Sequence, residues 1–177
     1  MPLTIRILPA ESLAAKDREQ IFAMCARAYG EDVRASYETF AERMHVIGSI
    51  GDRIVTHALR VTRWLAPDGR EPLRTAYIEL VATDPLHQRR GYATQLMDAV
   101  VAESHDFDLA ALAPSDEGLA LYQRLGWVIW EGPLLIRRGS ALIPTPGELV
   151  MIQRLPRSPK LDVHSSLSAE WREGEVW

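Results

Sequence analysis

Ile78-Glu79-Leu80-Val81-Ala82-Thr83-Asp84-Pro85-Leu86-His87-Gln88-Arg89-Arg90-Gly91-Tyr92-Ala93-Thr94 is the stretch on which the fold turns. Its first half reads as a β-strand, which stops at Asp84-Pro85. Beyond it Ala93, Leu96, Met97, Val100 and Val101 recur at helical spacing and form one apolar stripe. A strand therefore delivers the chain through a turn into a helix, where Gly91 and the small Ala93 leave the backbone accessible. First-turn N–H groups lack intrahelical partners and lie at the positive end of the macrodipole, which suits phosphate oxygens. Arg89 and Arg90 add positive charge at the mouth. A solvated basic helix start has the same pattern, so the loop alone leaves both readings open. Spacing excludes two other phosphate-binding devices. No Gly-x-x-x-x-Gly-Lys-Ser/Thr is present, and a dinucleotide fingerprint needs three glycines where this turn has one.

Working outward, Leu3, Ile5 and Ile7 alternate with polar residues as a half-buried strand does, and Pro9 ends it. Ile21, Met24, Cys25, Ala28 and Tyr29 share one helical stripe that Gly30 stops. Residues 34–44 read as a shorter helix with Tyr37, Phe40 and Met44 inward. Strands follow over His45 to Ile50 and about Ile54 to Leu65, joined by the turn pair Gly51-Asp52. Ala66-Pro67-Asp68-Gly69-Arg70 is a turn, and a strand from Leu73 to Thr83 returns from it. After the helix at Ala93, Asp108 to Ala113 is a short buried strand. Ser115 caps a helix that has acids in its first turn and ends at Gly126. Trp127 to Ile136 and Leu149 to Leu155 are two further strands. The order β-α-α-β-β-β-α-β-α-β-β predicts an α/β fold, a mixed central sheet flanked by helices.

Composition narrows the partners. The 177 residues suit one domain, 1–177, with residues 156–177 as an ordered acidic and aromatic C-terminal tail. A net charge of -4 argues against nucleic acid. No apolar run approaches the roughly 20 residues of a membrane span, and the start lacks a signal-peptide pattern, so a cytoplasmic setting is expected. One cysteine, Cys25, lies on an apolar stripe and reads as packing. The histidines His45, His57, His87, His105 and His164 show no ligand spacing, so no metal is expected. Trp64, Trp127 and Trp130 read as core or pocket wall.

Two segments resemble a known superfamily. Gln88-x-x-Gly91-x-Ala93 is similar to the Gln/Arg-x-x-Gly-x-Gly/Ala loop of the GNAT acyl-CoA N-acyltransferases. Ala120-Leu121-Tyr122-Gln123-Arg124-Leu125-Gly126-Trp127 resembles their Leu-Tyr-x-x-x-Gly-Phe/Trp segment. The resemblance implies the GNAT fold and acetyl-CoA as cofactor. The amides of Gln88, Arg89, Arg90, Gly91, Tyr92 and Ala93 would grip the pyrophosphate, and the backbone of Val81, Ala82 and Thr83 would pair with the pantetheine arm. It also implies Glu79 as the base that deprotonates the amine and Tyr122 as the acid that protonates the departing thiolate, with an N–H near Val81 polarising the thioester.

A narrower resemblance, to the aminoglycoside 2'-N-acetyltransferases, runs through Met44-His45-Val46, Tyr77-Ile78-Glu79, Ser115-Asp116-Glu117-Gly118, Gly126 to Pro133, Thr145-Pro146 and Glu170-Trp171-Arg172-Glu173-Gly174-Glu175-Val176-Trp177. It implies an aminoglycoside substrate, direct attack in a ternary complex, a role in resistance, and the dimer that the family often forms through its C-terminal strands. Substrate contacts would fall to Glu31, Asp32, Glu79, Leu80, Glu148, Glu175 and Trp177. In the tail, three glutamates and the terminal carboxylate stand against Arg172, a net of -3, beside two indoles. Carboxylates accept ammonium hydrogen bonds and indole faces hold cations or sugar rings. The sequence departs from the family in three places. Thr145-Pro146 leads to a single acid, Glu148; Ala113 stands where the family has a serine; Leu80 stands where glycine is frequent. Fewer acids suggest a less cationic substrate, of the kasugamycin type. The alternatives are acylation of another small amine or peptide, and a non-catalytic domain that binds CoA or drug.

Overall fold

A computed structural model describes residues 2–177. The chain forms two compact bodies, residues 2–61 with Ile78–Glu103 and Thr62–Tyr77 with Ser104–Trp177, and two long strands contribute to both. In chain order the elements are β1 Thr4–Pro9, α1 Ala15–Tyr29, α2 Arg34–Thr39, β2 Met44–Ile50, β3 Arg53–Pro67, β4 Leu73–Thr83, α3 Tyr92–Ala102, β5 Leu109–Leu112, α4 Asp116–Arg124, β6 Val128–Ile129, β7 Leu134–Arg138, β8 Ala141–Pro144, β9 Met151–Arg154 and β10 Leu167–Glu170. Strand order is β6-β9-β5-β4-β3-β10-β7-β8, with β1 on β2 and β2 on β3. The sheet is mixed, as the element order predicts.

In the first body β2 pairs antiparallel with both β1 and β3. Its ladder with β3 shifts register at Gly48/Ser49, where a Cβ on Gly48 would lie 2.5 Å from the Thr56 methyl. Helix α1 buries Ile21, Phe22, Met24 and Cys25, the stripe its sequence spacing sets out, and Gly30 closes it in the left-handed conformation. Burial pushes the Cys25 thiol up to about 12, in keeping with a packing role. Helix α3 buries Leu96, Met97 and Val100.

In the second body β4 and β5 run parallel with Thr75 opposite Leu109, and β9 pairs antiparallel with β5. The Ser115 hydroxyl accepts from the Gly118 N–H at 3.1 Å and caps α4. β10 lies between β3, antiparallel, and β7, parallel. Among the described residues no helix is long and apolar enough to cross a membrane.

Four local expectations change. The helix expected over 34–44 stops at Thr39, because Met44 pairs with Pro9 and Arg60 in the β2 ladders. The strand expected over Trp127–Ile136 divides into β6 and β7. Between them the N–H groups of Glu131 and Gly132 both donate to Val163 O at 2.9 Å, and Pro133 has none to give. β3 runs on to Pro67, so the turn begins at Asp68. β8 and β10 were not expected as strands, since Leu167-Ser168-Ala169-Glu170 is short and lacks clear alternation. Trp127 and Trp130 are core residues, but Trp64 is 47% exposed and is not part of the core.

Candidate active site

The first body carries the loop and strand that the sequence singled out. Asp84 ends β4 and accepts from the Leu86 N–H at 3.0 Å, capping a short turn over Pro85–His87. Its carboxylate is buried and takes hydrogen bonds from Arg27 at 2.8 Å and Arg53 at 3.1 Å. Burial opposes its ionisation, but Arg27, the Leu86 N–H and Arg53 outweigh that and hold its pKa near about 2. This anchor fixes where the next loop starts. Arg89 has a φ of 59° and Gly91 a φ of 78°, two left-handed residues that turn the chain into α3. The first intrahelical bond is donated by Gln95 N–H to Gly91 O at 3.1 Å. The amides of Tyr92, Ala93 and Thr94 thus precede the helical ladder. No atom lies within 4 Å of where a Cβ on Gly91 would sit, so the backbone is open to an approaching group. Gln88, Arg89 and Arg90 are exposed beside it.

The β4–β5 ladder ends at Tyr77 opposite Ala111, and Ile78–Thr83 carry β4 on past it. Within this extension Leu80 has a φ of 48°. A left-handed leucine is uncommon and costs roughly 1–2 kcal/mol. It also breaks the alternation expected here. Ile78 is buried, whereas Glu79 and Leu80 are both half-buried. Three consecutive carbonyls after Glu79 each accept from a side chain. Leu80 O is 3.1 Å from His57 Nδ1, Val81 O accepts from Tyr29 Oη at 2.7 Å, and Ala82 O accepts from Thr56 Oγ1 at 3.0 Å. His57 Nε2 lies 2.9 Å from His45 Nδ1, and His45 Nε2 lies 3.1 Å from the Tyr37 hydroxyl. Burial lowers the His45 pKa to about 4, and burial with the neighbouring ring lowers His57 to about 3. The sequence reading missed this cluster, because a search for metal-ligand spacing along the chain does not see partners on adjacent strands. Two histidines inside apolar strand runs were the signal.

Glu31 and Asp32 are exposed in the α1–α2 connection. Asp32 is already engaged by Arg34 at 3.0 Å, and that N–H and guanidinium lower its pKa. Its charge is therefore partly spent.

The second body carries the remaining residues. Tyr122 is buried on α4, its ring 6.1 Å from that of Trp127. A Cβ on Gly118 would approach the Tyr122 ring to 3.0 Å, so glycine there makes room for the phenol. Burial raises the Tyr122 pKa to about 12. The hydroxyl keeps its proton at any working pH, but the gap to a thiol exceeds the roughly two units that unperturbed groups would give. Trp177 is 5% exposed and donates Nε1–H to Thr145 Oγ1 at 2.9 Å, which joins the Thr145-Pro146 segment to the tail. Glu148 and Glu175 are exposed, as is Trp171, which lies under the Arg138 guanidinium at 4.8 Å. Glu170 is not available to a ligand in the same way. Buried Arg63 donates to its carboxylate at 3.1 Å and to its carbonyl at 2.7 Å, and also donates to Val176 O. Arg63 was missed by the sequence reading because it looks like any charged residue in a strand.

Among the described residues no group of three or more His, Cys, Asp or Glu could hold a metal ion. An open glycine at a helix start, preceded by a strand that outruns its partner, suits a nucleotide-tailed thioester. The chain belongs to the GNAT acetyltransferases: residues 10–130 match the acetyltransferase (GNAT) domain family. It is 30% identical to an aminoglycoside 2'-N-acetyltransferase of Mycolicibacterium fortuitum over 98% of this chain and 92% of that one. Among solved structures it is similar to the GNAT family N-acetyltransferase YhbS of Escherichia coli, determined with CoA. That match has 17% identity, a TM-score of 0.67, and covers 98% of this chain and 92% of that one. It is also similar to Eis1 of Mycobacterium abscessus, at 22% identity and a TM-score of 0.59 over 71% of this chain. The match spans only 31% of that longer protein.

Proposed function

We propose that this acetyltransferase moves the acetyl group of acetyl-CoA to the 2'-amine of an aminoglycoside, by direct attack with both substrates bound, and so confers resistance. The observation that carries the reading is the 30% identity to an aminoglycoside 2'-N-acetyltransferase along 98% of the chain. The substrate class is a compact aminoglycoside of the kasugamycin type. In support, one acid of the expected recognition set, Asp32, is compensated by Arg34, and a further acid of the tail, Glu170, is compensated by Arg63. Fewer uncompensated carboxylates favour a substrate with fewer ammonium groups.

Acetyl-CoA supplies an activated carbonyl and a thiolate leaving group. The amides of Gln88 through Ala93 bind its pyrophosphate, and the backbone of Val81, Ala82 and Thr83 pairs with the pantetheine arm as an added strand does. Glu79 accepts the amine proton at its carboxylate, directly or through one water. An amine crowded by other cations on the same sugar is unusually acidic, so little driving force is needed. The Val81 N–H stabilises the charge that develops on the carbonyl oxygen. The Tyr122 hydroxyl holds the proton for the sulfur. Its raised pKa makes it a reluctant donor, and the same burial raises that of a thiolate beside it. Holding both reactants together contributes roughly 7–11 kcal/mol to the rate enhancement. Glu31, Asp32, Leu80, Glu148, Glu175 and Trp177 complete the sugar site in this reading. A homodimer belongs to it as well, supported by the exposed Leu142 and Ile143 on β8.

The test is thiol release from acetyl-CoA against a panel of aminoglycosides, with the product mapped by NMR. Acetylation of the 2'-nitrogen of kasugamycin, with little or none on kanamycin, is the expected result. Turnover of polyamines or peptide N-termini instead would move the substrate elsewhere within the family. Tight CoA binding without turnover of any amine would remove the catalytic reading.

A further inference from the structure

From the hydrogen-bond geometry of the first body, we infer that Tyr37, His45 and His57 form a polarised string that holds Leu80 in its left-handed conformation and so aims Glu79 and the Val81 N–H. His45 on β2 stands opposite Leu59, and His57 on β3 stands opposite Ile47, so the two rings are diagonal neighbours on one face. The direction of every proton follows from the end of the string. Leu80 O can only accept, so His57 Nδ1 carries the hydrogen. A neutral His57 then has a bare Nε2, which must receive Nδ1–H from His45. His45 Nε2 is bare in turn and receives the Tyr37 hydroxyl hydrogen. Each ring is neutral and each nitrogen is satisfied. Both histidines and Tyr37 are buried, and the edge of Tyr37 is held by Phe22 at 5.1 Å with Arg43 over its face at 4.3 Å.

The string ends on the residue of β4 that has a positive φ, between the acid proposed as base and the amide proposed for the carbonyl oxygen. Leucine resists that conformation and glycine does not. A donor from outside the strand therefore does for Leu80 what a glycine would do unaided. Tyr37, His45 and His57 are positioning residues on this account, because none of them is argued to touch a reacting atom.

The role of the string in catalysis rests on the assignment of Glu79, so the first measurement is made without substrate. Long-range 1H–15N spectra of the wild-type protein should show both histidines as the Nδ1–H tautomer across neutral pH. An Nε2–H tautomer at His57 would overturn the inference. Amide exchange at Leu80 and Val81 should quicken in His57→Gln, whose amide reaches towards His45, and stay near wild type in His57→Asn, whose amide stands where Nδ1 stands. Equal exchange in both variants would also overturn it. In turnover, His57→Gln should lower kcat by about tenfold with both KM values within about threefold, and His57→Asn should restore most of the loss. A loss that His57→Asn leaves untouched would assign His57 to packing alone. If the wild-type protein acetylates nothing, the functional proposal fails, while the tautomer and exchange results still decide whether the string exists.

Discussion

Arg63, 1% exposed, donates its Nε–H to the carboxylate of Glu170 at 3.1 Å and its Nη2–H to the Glu170 carbonyl at 2.7 Å, a residue 107 positions away. The same guanidinium lies over the Tyr77 ring at 5.2 Å and also donates to Val176 O. It ties the tail to β3. Arg63 is buried while the Glu170 side chain is 37% exposed, so removing the arginine costs chiefly its own packing and the hydrogen bonds it gives to the Glu170 and Val176 carbonyls. Arg63→Ala should therefore lower unfolding stability by about 3 kcal/mol and expose the segment after Glu170 to proteases. Thermal unfolding and mass mapping of early cleavage sites check both parts. Early cleavage confined to the turn at Asp68–Arg70 would contradict the tie.

Glu79→Gln keeps shape and removes the base. It should lower kcat by about a hundredfold while leaving the KM for acetyl-CoA near wild type. Tyr122→Phe should cost less, about tenfold, since its raised pKa already makes the phenol a weak donor and solvent can supply the proton. Steady-state kinetics on the two variants separate these roles, and wild-type rates in both would remove them.

Two glycines should behave differently for a steric reason. A Cβ on Gly132 would lie 1.8 Å from Ser165 O, a backbone atom, so Gly132→Ala should destabilise by more than about 3 kcal/mol or prevent folding. A Cβ on Gly118 meets side-chain atoms, the edge of the Tyr122 ring at 3.0 Å and the Ser115 hydroxyl at 3.2 Å, and these can shift. Gly118→Ala should fold with a loss of about 1 kcal/mol and a larger proportional loss of kcat. Denaturant melts beside kinetics distinguish the two.

Stability should fall on the acid side in two stages. His45 and His57 have folded pKa values below the ordinary 6.5, so the unfolded chain binds more protons from 6.5 down to about 4 at His45 and about 3 at His57. Their contribution is complete above 6.5 and declines as pH falls through that window. Asp84 has its pKa lowered from 3.8 to about 2, so its contribution is present above 3.8 and is lost as pH falls towards 2. Urea midpoints from pH 8 to pH 3 should show the first decline, which His57→Asn should make shallower. A flat profile between pH 7 and pH 4 would contradict neutral buried rings.

The strand, turn and helix from Ile78 to Thr94 were legible because alternation, a Pro break and a helical stripe follow one another without overlap. The Ser115 cap was legible for the same reason, as it is a local interaction. The division of β6 from β7 was not, since it depends on Val163 arriving from thirty-odd residues away to take the N–H groups of Glu131 and Gly132, with the Ser165 carbonyl taking the Trp130 indole N–H. The left-handed Leu80 was also out of reach, because leucine gives no local sign of a conformation that His57 imposes from another strand. Glu79, Gly91 and Tyr122 lie on the strand, turn and helix to which the sequence pattern assigned them. What pattern could not supply was the compensation of Asp32 and Glu170 by arginines, which depends on pairs formed in three dimensions.

The insertion of β10 between β3 and β7 has a consequence for biosynthesis. Leu65 of β3 is paired with Ala169, a separation of about a hundred residues, so β3 leaves the ribosome long before the strand that seals its flank. Until then an unprotected apolar edge is displayed to other chains. Pairing of this range makes refolding slow, and a chain interrupted ahead of Leu167 would expose a gap in the sheet and self-associate.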